Sequence, residues 1–117
     1  MKKFAFVSDA AEKEYKKLPK KIQQEFGVSL RAIQENKKPF LPTTSLTSIG
    51  AGVIELKING SPAFRCVYIA KFLDTVVILH SFSKTTNKVD KQAMKTLEQR
   101  YKELQAELAQ MKKKEKN

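Results

Sequence analysis

The chain has little from which to build covalent or metal chemistry. Its 117 residues include one cysteine and one histidine. Cys66 can form no disulfide within the chain and sits inside an apolar run, so it reads as a reduced structural thiol in an intracellular protein. With no second His or Cys, His80 has no partner for a zinc-type site, and no metal is expected. The four glycines form no Gly-rich phosphate loop. No apolar run approaches the roughly 18 residues of a membrane span. The basic start MKKFAFV carries too short an apolar stretch for a signal peptide. No strongly amphipathic basic helix with bulky aromatics suggests a membrane surface. Acids are also scarce, at 12 against 23 Lys and Arg. Glu55 and Asp74 stand isolated, so paired carboxylates do not suggest a hydrolase.

What is present is a folded core and a positive charge. The apolar fraction of 41% and seven Phe fit one globular domain with a modest core. Residues 1–110 read as that domain and 111–117 as a basic, disordered tail. The net charge is +11, and such an excess implies a polyanionic partner, because it otherwise costs self-repulsion. The last six residues, KKKEKN, hold four Lys and one Glu, a net +3, so the body alone keeps +8. Nucleic acid or the ribosome is the favoured partner.

The order of elements reads β-α-α-β-β-β-α, an α+β domain with an antiparallel meander and helices packed on it. FAFV (4–7) is a short edge or paired strand. Ser8 and Asp9 offer N-cap chemistry for a helix to about Leu18. Pro19 opens a second helix, with Ile22, Phe26, Leu30 and Ile33 as its apolar stripe to about Asn36. Residues 37–52 read as an ordered loop, pinned by Phe40, Leu41, Leu46 and Ile49. VIELKI (53–58) alternates, with Ile54, Leu56 and Ile58 inward and Glu55 and Lys57 outward. Asn59–Gly60 signals a hairpin, and strands 63–72 and 75–82 turn at Leu73 and Asp74. From about Lys91 a helix carries Met94, Leu97, Tyr101, Leu104, Leu108 and Met111. That stripe is core packing or a seat for a partner helix.

The meander strands bring cations to one region. Lys57 is on the first, Arg65 just after the hairpin, and Lys84 and Lys88 follow the third. Arg65 interrupts an apolar strand between Phe64 and Cys66. It suits either an ion pair with Glu55 across the hairpin or a phosphate, whose negative charge its forked donors can stabilise. His80 is either a hydrogen-bonded structural imidazole or an acid–base group. No side chain is an obvious base. A lysine could serve only if neighbouring cations lowered its pKa well below about 10.4.

The stretch GVIELKINGSPAFRCVYIAKFLDTVVILHSFSKTTNKV, followed by a basic amphipathic helix, resembles the phage-related, HigB-like branch of the RelE/ParE toxin superfamily. The resemblance covers residues 4–108 and is most specific at ELK, Phe64–Arg65, Tyr68 and LHSFSKTTNK. It implies the RelE-like fold and a cytoplasmic toxin of a type II toxin–antitoxin pair. The implied activity is metal- and cofactor-free, ribosome-dependent cleavage of mRNA, in which the substrate 2′-OH attacks its own phosphate. A cognate antitoxin of helix-turn-helix type is the implied partner, besides ribosome and mRNA. By position, the resemblance makes Arg65 and Lys84 catalytic, and places Lys57, Lys88, Thr85 and Asn87 along the RNA. Three positions depart from the usual pattern: Lys57 replaces a common arginine, Thr85 a second lysine, and Val89 a proline. Two other readings are a ParE-like gyrase poison and a non-catalytic basic module that binds RNA or the ribosome.

Overall fold

Ser8 starts the first helix as its side chain dictates, its Oγ accepting a hydrogen bond from the Ala11 N–H at 3.2 Å. The structure is a computed structural model that describes residues 1–86 and 88–115. Its elements are β1 (Lys3–Phe6), α1 (Asp9–Lys17), α2 (Lys20–Gln34), β2 (Thr43–Ser45), β3 (Val53–Ile58), β4 (Ala63–Phe72), β5 (Thr75–Lys84) and α3 (Lys91–Glu115). Pro19 caps α2 with its fixed φ of −53° rather than entering the helix. The five strands lie in the order β1-β5-β4-β3-β2. This is the expected α+β arrangement, with one short strand added in the 37–52 loop.

The meander β3–β4–β5 is antiparallel, and β2 extends it at one edge, Thr44 standing opposite Glu55. β1 joins at the other edge but runs parallel to β5, with Phe6 opposite Ile78. A parallel neighbour needs a crossover connection, which the helices and the intervening strands provide. Nothing in a four-residue apolar run encodes that direction. Leu73 and Asp74 take the β4–β5 turn with φ of 53° and 50°, as a tight primed turn requires. The β3–β4 connection spans four residues between Ile58 and Ala63, so Asn59–Gly60 marks the hairpin without forming a two-residue turn.

Both sheet faces are covered, which makes three layers. On one face Phe26, Leu30 and Ile33 of α2 pack with Leu18 on Leu56, Cys66, Tyr68, Val76 and Ile78. On the other, Leu97 and Leu104 of α3 pack on Val53, Val67, Ile69, Val77 and Leu79. Both core faces follow from the period-2 alternation of the strands meeting the 3.6-residue stripe of the helices. Cys66 is free and fully buried, takes a hydrogen bond from Ser81 Oγ at 3.6 Å, and has its thiol pushed up to about 12 by burial. It is an inert structural thiol. Among the described residues no helix is long and apolar enough to cross a membrane.

Three local expectations need correction. Phe40 does not pin its loop: it is 78% exposed, while Leu41, Leu46 and Ile49 do pack. Met111 is also exposed, because it lies beyond the last α3 residues that reach the sheet. Finally, α3 continues to Glu115, five residues into the segment read as a tail. Met111, Lys112, Lys113, Lys114 and Glu115 supply those five positions, and all are good helix formers.

Candidate functional site

Strand register assembles a charged row at one end of the sheet. Lys57 of β3 stands opposite Arg65 of β4, Arg65 opposite Phe82 of β5, and Lys84 opposite Ala63. Directly opposed residues share a face, and Glu55, two residues before Lys57, shares it too. This is the α3 face, but at a level where α3 is only starting. A groove of about 350 Å³ therefore remains between the sheet and the first turn of α3. Glu55, Lys57, Arg65 and Lys84 line it, with Phe82 and Met94 as apolar wall. Asp90 caps α3 at the rim, its Oδ1 accepting from the Ala93 N–H at 2.9 Å.

Arg65 is the best-fixed cation of the group. Its Nη1 donates to the carbonyls of Phe64 at 3.0 Å and Ile58 at 3.4 Å. Its Nε stands 3.7 Å from Glu55 Oε1. Arg65 is thus 8% exposed, not the open surface cation that its place beyond the hairpin suggests. Lys57 is half-buried rather than wholly on the solvent side, and its Nζ donates to Thr44 Oγ1 at 3.2 Å. Burial pushes the Glu55 carboxyl above its usual 4.5, and the charges of Arg65, Lys84 and Lys57 oppose that rise. Ions of both signs in a partly desolvated groove produce strong fields at short range.

A second recess of about 490 Å³ opens beside the first, around the β3–β4 hairpin. Arg65 and Lys84 border both, and Thr85 and Thr86 line the second with Asn59 and Ser61. Arg65 and Lys84 are thus the residues that the two recesses share.

Residues 13–102 match the family described as phage derived protein Gp49-like (DUF891). The chain belongs to this family. It is a family of RelE/HigB-like toxins. No curated protein matches the chain.

The other candidates in this Gp49-like chain are distributed differently. Lys88 is exposed and lines neither recess, and Asn87 lies outside the described residues. His80 is on the groove's face but is turned away from its opening. It is buried, stacks on Phe82 at 4.8 Å, and places Nδ1 2.7 Å from Glu14 Oε1 of α1. Arg100 of α3 closes on the same carboxylate with Nη1 at 2.6 Å and Nη2 at 2.7 Å, and also donates to the Leu79 carbonyl at 2.9 Å. Leu79 is the extra residue of a bulge between the Val67–His80 and Tyr68–Ile78 pairs, so the ladder leaves its carbonyl available. Burial lowers the His80 pKa against the pull of Glu14. Glu14, raised by burial, is brought below its usual value by hydrogen bonds from Arg100 and His80. The set is therefore neutral His80 with Nδ1–H donating to Glu14, and an anionic Glu14 paired with Arg100. It fastens α1, β5 and α3 together, a structural role for the imidazole.

Glu55 escapes a reading that looks for pairs of acids. The signal for it was the alternation in VIELKI, which puts Glu55 on the same face as Lys57. Glu14 and Arg100 escape for a different reason: each sits on the polar face of a helix, where most charges are merely solvated.

Proposed function

We propose that this chain is the toxin of a type II toxin–antitoxin pair, of the HigB-like branch, and cuts mRNA in the ribosomal decoding site. The observation that carries the reading is the groove in which Lys57, Arg65 and Lys84 of three adjacent strands line one wall. An in-line attack by a ribose 2′-hydroxyl on its own phosphate accumulates negative charge on the phosphoryl oxygens. Preorganised cations in a partly dry groove stabilise that charge more than they would in water. Arg65 has the right placement for this, since backbone carbonyls hold its Nη1 and fix the plane of the guanidinium. Lys84 completes the charge from β5. Lys57, Thr85, Lys88 and Asn87 follow the RNA backbone, and the ribosome orients the substrate. The body charge of +8 favours the approach to ribosomal RNA. A cognate antitoxin, acidic or amphipathic, covers this groove or displaces α3.

The test is expression without a partner. Growth should arrest, and transcripts should be cut inside translated frames. A message with a 2′-deoxy sugar at the scissile nucleotide should stay whole on programmed ribosomes. Unaffected growth at high soluble expression sinks the toxin reading. Arrest with DNA-damage signalling and whole transcripts replaces it with gyrase poisoning. Blocked translation with whole transcripts replaces it with a non-catalytic module.

A further inference from the structure

A 2′-hydroxyl must lose its proton to attack, and charged Arg or Lys cannot take it. We propose that Glu55 is the catalytic base of the ribonuclease reaction, an assignment that rests on the function proposed above. Two carboxylate–arginine contacts within the same chain show why. Glu14 and Arg100 close as a two-pronged pair at 2.6 and 2.7 Å, the geometry of a carboxylate whose work is structural. Glu55 and Arg65 stay apart at 3.7 Å, although their side chains are 16% and 10% exposed. Arg65 is held back, because the Ile58 and Phe64 carbonyls take its Nη1. Among the described residues no donor lies within hydrogen-bond distance of the Glu55 carboxylate, and no buried side-chain oxygen is left unpartnered. The carboxylate oxygens are therefore open to the groove, with acceptor capacity in reserve.

Position adds to this. Glu55 sits mid-strand in β3, paired with Val67 on one side and Thr44 on the other, so its backbone is fixed from both edges. It lies two residues from Lys57 on the same face and lines the groove that Arg65 and Lys84 line. Burial raises its pKa from 4.5, and a base works best when its pKa approaches the working pH.

The step balances without an added reactant. The 2′-O–H proton passes to the Glu55 carboxylate as the 2′-oxygen bonds to phosphorus. The P–O5′ bond breaks, its electron pair leaves with the 5′-oxygen, and that oxygen takes a proton from solvent. The products are a 2′,3′-cyclic phosphate and a 5′-hydroxyl. Glu55 returns its proton to water.

Single-turnover cleavage on programmed ribosomes, followed against pH, tests the assignment. The wild-type rate should fall on the acid side with unit slope as Glu55 takes its proton. Glu55→Gln, checked for folding by circular dichroism, should lose about 10²- to 10⁴-fold in rate and lose that acid limb. Glu55→Asp should keep a limb at a shifted pH with a reduced rate, and it serves if the glutamine variant fails to fold. A folded Glu55→Gln that stays within about tenfold of wild type, or that slows with its acid limb intact, overturns the base assignment alone. So does Glu55→Asp with an unmoved limb. A wild-type chain that cleaves nothing overturns the ribonuclease reading, and Glu55 with it.

Discussion

Glu14 and Arg100, 86 residues apart in sequence, meet beside the bulge midway along β5 and tie the first helix to the last. Arg100 also satisfies the bulged Leu79 carbonyl, so its loss strands two acceptors at once. Arg100→Met should cost about 2 kcal/mol in urea unfolding, the usual range for hydrogen bonds to charged groups. Adding Glu14→Gln should cost much less than a second such loss, since the partner charge is then gone. Strict additivity of the two would show that the pair is not coupled.

The pH dependence of stability follows from the same cluster and from Glu55. His80 has a folded pKa below 6.5. Its contribution is whole above about 6.5 and is lost as pH falls towards the folded value, because the unfolded chain takes the proton first. Glu14 lies below 4.5 when folded, so its contribution is whole above 4.5 and is lost as pH falls through the folded value. Glu55 lies above 4.5 when folded and acts in the opposite sense, stabilising on acidification between its folded value and 4.5. Unfolding midpoints should therefore decline below about pH 6.5. His80→Gln should flatten the start of that decline, and Glu55→Gln should steepen it just above pH 4.5. A wild-type midpoint that rises on acidification from 6.5 contradicts the cluster's assignment.

Glu55→Gln should also be at least as stable as wild type at neutral pH, since the raised pKa means that the ionised carboxylate is held at a cost. A groove acid under functional demand often shows this conflict between stability and activity. A clear fall in the thermal midpoint would mark Glu55 as a structural anchor for Arg65.

Among the cations, Arg65→Gln and Lys84→Ala should each lower cleavage on programmed ribosomes by about a hundredfold or more, as loss of one preorganised donor does. Glutamine is the better probe at position 65, because alanine would leave the Phe64 and Ile58 carbonyls without their donor. Lys57→Ala and Lys88→Ala should weaken binding with a smaller salt slope, as expected of backbone contacts. If folded Arg65→Gln and Lys84→Ala both keep the full rate, the groove is not the site.

Gly50 faces the α3 ring of Tyr101, where an added Cβ would come within 2.7 Å of Cε2 and the hydroxyl. Gly50→Ala should cost about 1–3 kcal/mol by overpacking. Tyr101→Ala in the same chain should return part of that loss. An alanine variant as stable as wild type would show that α3 can shift on the sheet freely.

Much of this was legible before the structure. Ser8 as a cap, the Phe26–Leu30–Ile33 stripe and the three meander strands depend on local signals that act within a turn or a strand. The nearness of Lys57, Arg65 and Lys84 also follows from local information, namely hairpin register and period-2 alternation. The parallel placement of β1, the exposure of Phe40 and the burial of Arg65 do not, because each depends on elements far away in sequence. The same is true of Glu14 with Arg100. Glu55 was legible in part: its face could be read, but the 3.7 Å gap from Arg65 is set by where the Ile58 carbonyl lies after folding.

The pairing of Phe6 with Ile78 imposes an order in time. A chain made at about 5–20 residues per second carries β1 without a partner for some 4–14 s before β5 is synthesised. The sheet cannot close at that edge sooner. Lys57 and Arg65 precede Lys84, which ends the last strand, so the cationic groove also assembles late. Until then the nascent chain carries an incomplete groove on the machine that it is proposed to attack.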